Sequence, residues 1–352
     1  MRISFLPFSL VFFFLLPLYS IAQPGEAEPE KQSIFDLLYR DDGTKGNLLV
    51  LFDLDSLLVE EVAELPARIS FETQDGKQET WNLKLELRGA FRRRKCDVPP
   101  LKLNFVKSEL KDQGLYKYDD IKLVTHCLEA EEARENILRE WIVYRMYERL
   151  TDAAFRTQLM DVTYKDSQSS QSLENIGILI ESIDQLRKRL DMKECKDCIG
   201  MKRENYVAED LLRVSLFQYM IGNTDWSGHL AKNMKAIGPS DGNTNLIPVP
   251  YDFDFSAMVS PSYAVPREQL GQYKLEDRVY LGPPEKPEDC EKVFNLFQEN
   301  RKAFEQIIKS TEGLSDGSKK DMLKYLKSFY RELENGKLEK IMAEAPPLET
   351  RF

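Results

Sequence analysis

From Asn47 onward the chain alternates apolar and polar residues with a period of two. "NLLVLFDLD" is an apolar run, and "ARISFETQ" and "TWNLKLELRG" alternate on either side of Asp75-Gly76, a hairpin signal. "PPLKLNF" and "IKLVTH" supply two more short strands. The period then changes. In "EARENILREWIVYRMYERL", starting at Glu132, Ile137, Leu138, Trp141, Ile142 and Met146 share one helical face. "FRTQLMDVTYKD" and "IGILIES" return to strand around the turn "SQSSQS". In the second half, "NYVAEDLLRVSLFQYMIG" places Leu212, Ser215, Leu216 and Tyr219 on one stripe, and Gly222 ends the helix. Two short strands, "KNMKAI" and "NLIPVP", flank the turn "GPSDGN". A loop rich in Pro and Tyr spans 260–287, and amphipathic helices are predicted near 291–309 and 319–344. The pattern predicts an α+β chain without internal repeats. A β-rich part over 47–182 carries one embedded helix, and a helical part over 183–352 carries a small ribbon.

Residues 1–22 change the starting point. "MRISFLPFSLVFFFLLPLYSIA" has an early Arg, an apolar run and the small-x-small step Ser20-Ile21-Ala22, the form of a secretory signal peptide. Pro7 and Pro17 break the run short of the ~20 residues a spanning helix needs, so no stable membrane insertion is expected after cleavage. The expected location is periplasmic or secreted. Residues 23–46 read as a linker and N-terminal extension, beginning with the polar tether "QPGEAEPEKQ". The 352 residues are 42% hydrophobic and 31% charged, a globular composition for one large or two medium domains. Net charge is −10, and −11 once Arg2 is removed with the leader. That balance argues against nucleic acid as a partner, since binding there relies on Lys and Arg at phosphates. Of five cysteines, Cys195 and Cys198 form a C-x-x-C expected to close a local loop disulfide. Cys96 and Cys127 are a possible second pair, which would leave Cys290 free.

Two aspartate clusters compete for the chemistry. Asp53 and Asp55 follow an apolar strand in "VLFDLDSLL" and resemble the nucleophile motif of haloacid-dehalogenase-like phosphatases. Leu57 stands where that family has Thr or Val, and the next elements are hairpins instead of βαβ units. A capped strand end is the plainer reading. The second cluster is "GNTDWSGHLAKN" followed by "VPYDFDFS". A loop with Asp225 and Asn233, a short ribbon, then Asp252-x-Asp254 is the order that kinase-like phosphotransferases use. Phosphoryl transfer is mostly positioning and charge neutralisation: a loop Asp orients the acceptor hydroxyl, and a loop Asn and a second Asp hold the metal. Seven residues separate Asp225 from Asn233 where ordinary kinases have four, and the usual glycine-rich and His-Arg-Asp signatures are missing. Lys102 on its strand and Glu140 on the embedded helix are candidates for a phosphate-binding cation and its carboxylate partner. Glu181, ending "IGILIES", stands where an adenine-binding hinge is expected. His126 reads as a core group. His229, inside the candidate loop, is open to either a structural or a functional role. With only these two histidines a zinc site is disfavoured.

Taken in order, "LRGAFRRRKCDVPPLKLNF", "LREWIVYRMYERLTDAAFRTQLMDVTY", "GILIES", "GNTDWSGHLAKN" and "VPYDFDFS" resemble the CotH-type family of secreted atypical kinases and its exported bacterial relatives, over about residues 48–280. The resemblance implies an atypical protein-kinase-like two-lobed fold, with a β-rich N-lobe holding one helix and a mainly helical C-lobe. It implies ATP with Mg²⁺ or Mn²⁺ as cofactors, and a protein or small hydroxyl acceptor as the second partner. By it, Asp225, Lys102 and Glu140 are catalytic, and Asn233, Asp252 and Asp254 face the metal. Arg88 and Gly89 take over from a missing glycine-rich phosphate loop.

Two other functions stay open. Asp252-Phe253-Asp254 also suits the metal motif of a nucleotide-sugar glycosyltransferase, which would require a doubly wound parallel sheet. A bacterial periplasm holds little ATP, so a kinase-like binding module without transfer activity is the third reading.

Overall fold

The structure is a computed structural model that describes Met1 and residues 31–58, 64–88, 99–125, 131–239 and 243–350. Contacts group residues 32–352 into one compact unit and residues 1–31 into another. The predicted leader, Gly89, the arginine-rich "FRRRK", and Cys96, His126 and Cys127 lie outside the described residues.

Seven strands carry the alternation read from the sequence: β1 (Gly46–Phe52), β2 (Glu64–Glu72), β3 (Gln78–Leu87), β4 (Leu101–Phe105), β5 (Asp120–Thr125), β6 (Thr157–Asp166) and β7 (Ser172–Ile180). They form a closed barrel in the order β1-β2-β3-β4-β5-β7-β6. All neighbours are antiparallel except β1 and β6, whose parallel pairing runs from Gly46 opposite Met160 to Phe52 opposite Asp166 and closes the sheet. Alternate residues point inward, so Leu48, Val50, Ile69, Leu85, Leu103 and Val162 fill the barrel. A short helix, α1 (Ile34–Leu38), adds Ile34, Phe35 and Leu38 to that core. Ser33 and Asp36 form a capping box at its start. Helix α2 (Lys107–Asp112) joins β4 to β5.

A second core lies among α3 (Glu131–Glu148), α5 (Ala208–Ile221), α6 (Pro287–Ser310), α7 (Asp316–Glu334) and α8 (Lys337–Ala343). Every residue of α5 from Leu211 to Ile221 is buried, which makes it the central helix. Ile176, Ile178 and Ile180 on the outer face of β7 belong to this core, while Leu179 points into the barrel. With apolar side chains needed on both faces, β7 reads as a continuous apolar run. Helix α4 (Ile183–Arg189) leads to a small antiparallel sheet of β8 (Lys193–Glu194), β9 (Met234–Gly238) and β10 (Ile247–Pro250) in the order β10-β9-β8.

This arrangement corrects the expected fold. The α+β class holds, but the two-lobed kinase arrangement does not. The parallel β1–β6 pairing turns the N-terminal sheet into a closed barrel. The helix expected in the β-rich part, α3, packs on the outer face of β6 and β7 on one side and against α6 on the other. The doubly wound parallel sheet of the glycosyltransferase reading is also missing from the described residues: β1–β6 is their one parallel strand pair, and β10 sits in an antiparallel ribbon. No helix among the described residues is long and apolar enough to cross a membrane.

Candidate functional site

The outer face of the barrel carries its polar residues in cross-strand rows. Glu86 on β3 stands opposite Lys102 on β4, Lys102 opposite Lys122 on β5, and Lys122 opposite Ile180 on β7. The row ends where the helical core begins, and there a cleft of about 250 Å³ opens. Arg88, Pro100, Lys122, Val124 and Ile180 line it from the barrel, Glu140 and Tyr144 from α3, and Asp225, Asn233, Tyr251, Asp252, Asp254 and Phe255 from the segments around the ribbon.

Four tight backbone features position the acidic wall. Helix α5 ends at Gly222 in the left-handed conformation, with φ of 67°. A Cβ there would sit 2.2 Å from the Tyr325 hydroxyl, so glycine is required for space as well as for backbone angle. Buried Asn223 then accepts from the Asp225 N–H at 2.8 Å, fixing the next turn. Ser227 and Lys232 pair as an isolated antiparallel bridge, folding the intervening residues back. The fold-back returns Asn233 to Asp225, and its Nδ2 donates to Asp225 O at 2.7 Å and Oδ2 at 2.9 Å. The seven-residue spacing therefore places Asp and Asn together. Asn233 and Asp252 both hold positive φ, 51° and 63°. Non-glycine residues in that region are strained by about 1–3 kcal/mol and cluster at functional sites. Asp252 is held there through its N–H, which donates to the Tyr144 hydroxyl at 2.8 Å. Phe253, fully buried, packs on Tyr144 and Phe217 with ring centroids 4.7 and 5.7 Å apart. It directs its two flanking aspartates to the cleft.

The charges are unevenly satisfied. One oxygen of Asp225, Oδ1, accepts from both Lys232 and Arg267. Asp254 accepts from the Tyr263 hydroxyl at 3.0 Å. Among the described residues Lys122 makes no close ion pair; its ammonium lies over the Tyr251 ring at 4.5 Å and the Phe155 ring at 5.9 Å. Burial, then repulsion from Arg88, pushes its pKa down to about 8, with Asp252 pulling the other way. Burial likewise drives the Tyr144 phenol well above its ordinary value, so it acts as a neutral hydrogen-bonding group.

Six of the eight residues singled out from the sequence line this cleft: Arg88, Glu140, Asp225, Asn233, Asp252 and Asp254. Lys102 and Glu181 do not. Lys102 is one strand further out on the same face, with its ammonium 3.3 Å from Glu86. Glu181 is fully buried beneath Arg156 and Arg189, both 3.0 Å away, and its N–H donates to Arg156 O. Lys122, Tyr144, Tyr251 and Arg267 were missed. "IKLVT" carries a mid-strand lysine just as "LKLNF" does, and only the strand order decides which one reaches the cleft.

The oxygen-rich donor set suits a hard cation. Asn233 has its Nδ2 engaged by Asp225, which leaves Oδ1 as its metal-binding atom. Among the described residues no three His, Cys, Asp or Glu side chains converge as a metal cage. Mg²⁺ is commonly bound by one or two carboxylates plus substrate phosphates instead of an all-protein cage, so the residues present fit a metal that arrives with a nucleotide.

Outside the cleft, Asp53 is exposed and accepts from the Ser56 hydroxyl at 2.8 Å and the Asp55 N–H at 3.2 Å, a capped strand end. Cys195 and Cys198 form the local disulfide expected from their spacing. The segment just after it supports the site loop: Gly200 N–H donates to His229 O at 2.7 Å, and His229 Nδ1 lies 2.9 Å from Met201 O.

No family model matches this chain, and no curated protein matches it. Among solved structures it is similar to the Helicobacter pylori proinflammatory kinase CtkA, at 10% identity and a TM-score of 0.38, over 73% of this chain and 94% of that one. The likeness is a distant one to a kinase.

Proposed function

We propose that the cleft binds a nucleotide with Mg²⁺ or Mn²⁺, and that the protein is an exported kinase-like phosphotransferase moving the γ-phosphate of ATP to a hydroxyl acceptor. One observation carries this reading. Two barrel cations, Lys122 and Arg88, share a single cleft with Glu140, Asp225, Asn233, Asp252 and Asp254. The cations suit phosphate oxygens, and the poorly neutralised Lys122 gains a counter-charge when phosphate arrives. Asn233 Oδ1 with Asp252 and Asp254 would hold the metal, which when bound neutralises charge developing on the transferred group. Asp225, fixed by Asn223 and Asn233, is placed to orient the acceptor hydroxyl and take its proton. Tyr251 and Ile180 give the cleft apolar surface for a base. The Cys195–Cys198 disulfide suits the oxidising compartment expected from the leader.

A second reading has its own support. Asp225 Oδ1 already accepts from two cations, which favours a site that binds nucleotide without transfer until that contact opens. Calorimetric titration of the mature protein with ATP and Mg²⁺ or Mn²⁺, beside a folded Asp252→Ala variant, tests the site. Metal-dependent binding lost in the variant supports it. Absence of binding with either metal refutes it. Binding without phosphate transfer to any acceptor points to the second reading.

A further inference from the structure

The rim of the cleft around Asp225 is a surface of its own. Among the described residues seven large hydrophobic side chains are exposed, and four of them, Ile199, Leu230, Val265 and Tyr273, belong to segments tied to the Thr224–Asn233 loop. Leu230 is in that loop. Ile199 precedes Gly200, which donates to His229 O. Val265 and Tyr273 flank a segment anchored by buried Gln272, whose Oε1 accepts from Thr224 Oγ1 at 2.9 Å and Arg267 N at 3.1 Å. The same rim carries Lys232 and Arg267, with side chains 42% and 33% exposed, both donating to the single carboxylate Asp225. Both cations converge on one oxygen of Asp225, and each carries more N–H donors than that contact uses.

We infer that this rim docks an acidic polypeptide segment presenting a Ser or Thr hydroxyl, with apolar side chains against Leu230, Val265 and Tyr273 and carboxylates on Lys232 and Arg267. The naming of the acceptor rests on the phosphotransferase reading; the docking surface does not. A carboxylate next to the hydroxyl takes Lys232 and Arg267 from Asp225 and frees the oxygen that must receive the hydroxyl proton. The contact that closes Asp225 in the unliganded protein thus becomes the reader of the acceptor. Acidic flanks are selected because a neutral segment cannot displace the two cations. The exposed apolar residues come from three segments around the site loop, which suits an extended chain better than a small acceptor.

The test uses two fluorescent 15-residue peptides with a central Ser and apolar flanks, identical except that one has Glu where the other has Gln. Anisotropy titrations are run on the mature protein, with and without a non-hydrolysable ATP analogue and Mg²⁺, at low and high salt. The Glu peptide is expected to bind about tenfold more tightly, with an advantage that shrinks in salt and is lost in Lys232→Ala/Arg267→Ala. Leu230→Ser/Val265→Ser/Tyr273→Ser is expected to weaken both peptides alike. Equal binding of the two peptides, or binding of neither, overturns the proposal. So does a Lys232→Ala/Arg267→Ala protein that keeps the peptide preference but loses its preference for triphosphate over diphosphate, because the cations then serve the γ-phosphate. Peptide binding in a protein that binds no nucleotide supports the surface and sinks the transferase reading. Nucleotide binding with no peptide preference does the reverse.

Discussion

Lys122→Met is expected to make the unliganded protein more stable while weakening the proposed nucleotide binding. The lysine is half-buried against Tyr251 and Phe155, and its pKa falls from 10.5 to about 8. At 1.36 kcal/mol for each pH unit, keeping it charged at neutral pH costs the fold ~3 kcal/mol at most. The cation–π contact with Tyr251 offsets about 1 kcal/mol of that, so the net gain on replacing the ammonium is roughly 1–2 kcal/mol. Methionine retains an unbranched stem for the same ring faces. The sign fixes the pH dependence. Between about 8 and 10.5 the unfolded chain binds more protons than the folded one, so wild-type stability rises with pH through that window. The advantage of the variant is therefore full below pH 8 and gone near pH 10.5. Urea denaturation of both proteins at pH 7 and at several values up to pH 10.5 reads the difference, cancelling tyrosine titration common to both. In parallel, binding of ATP with Mg²⁺ should fall about tenfold or more in the variant. A Lys122→Met protein less stable than wild type at pH 7, with a pH-independent difference, would refute the reasoning and make the lysine a structural ion-pair partner.

Glu148, at the end of α3, is buried enough to raise its pKa to about 7 despite Arg145 and a hydrogen bond from Thr157. Its folded pKa exceeds the ordinary 4.5, so it favours the fold below that value and loses this contribution as pH rises to 7. Glu148→Gln should gain roughly 1–3 kcal/mol at pH 8 and nothing at pH 4, measured by thermal unfolding at both. Glu181→Ala should cost about 3–5 kcal/mol in denaturant unfolding, because Arg156 and Arg189 lose a fully buried carboxylate. A cost below 1 kcal/mol would mean that solvent replaces it. Gly222→Ala should destabilise by at least about 1–3 kcal/mol, since the methyl meets Tyr325 and Ala257; thermal unfolding checks it.

What the sequence disclosed follows from the range of each interaction. Alternation located the barrel strands because inside and outside are decided residue by residue. It could not disclose that β1 pairs with β6, about 110 residues away, because an apolar run like "NLLVLF" serves an open edge or a closed barrel equally well. That one pairing separates the observed barrel from the expected lobe. Asp225, Asn233, Asp252 and Asp254 were legible because each carries its own local signature: a polar loop after a capped helix, then a strand-end Asp-x-Asp. Lys102 and Lys122 sit in near-identical five-residue contexts, and their cross-strand pairing puts them side by side. Glu181 shows the opposite hazard. Its position after an apolar strand suggested a ligand, yet two arginines, Arg156 and Arg189, already engage its carboxylate, and its N–H donates to the Arg156 carbonyl.

The same contrast says where the site's precision comes from. Its acidic wall is built from local strain, with Asn233 and Asp252 at positive φ and held by hydrogen bonds within one loop and to one α3 tyrosine. Its basic wall is built from strand register, since Lys122 and Arg88 reach the cleft only through the position of β5 and the end of β3 in the barrel. A change in the barrel core that tilts β5 should therefore move the cations and leave the aspartates in place. The helix-side Asp225–Asn233 pair would persist in such a protein while phosphate affinity fell. Helix α3 carries both Glu140 and Tyr144 into the cleft between the two walls. Its packing between the outer face of β6–β7 and α6 ties the cleft to both the barrel and the helical core.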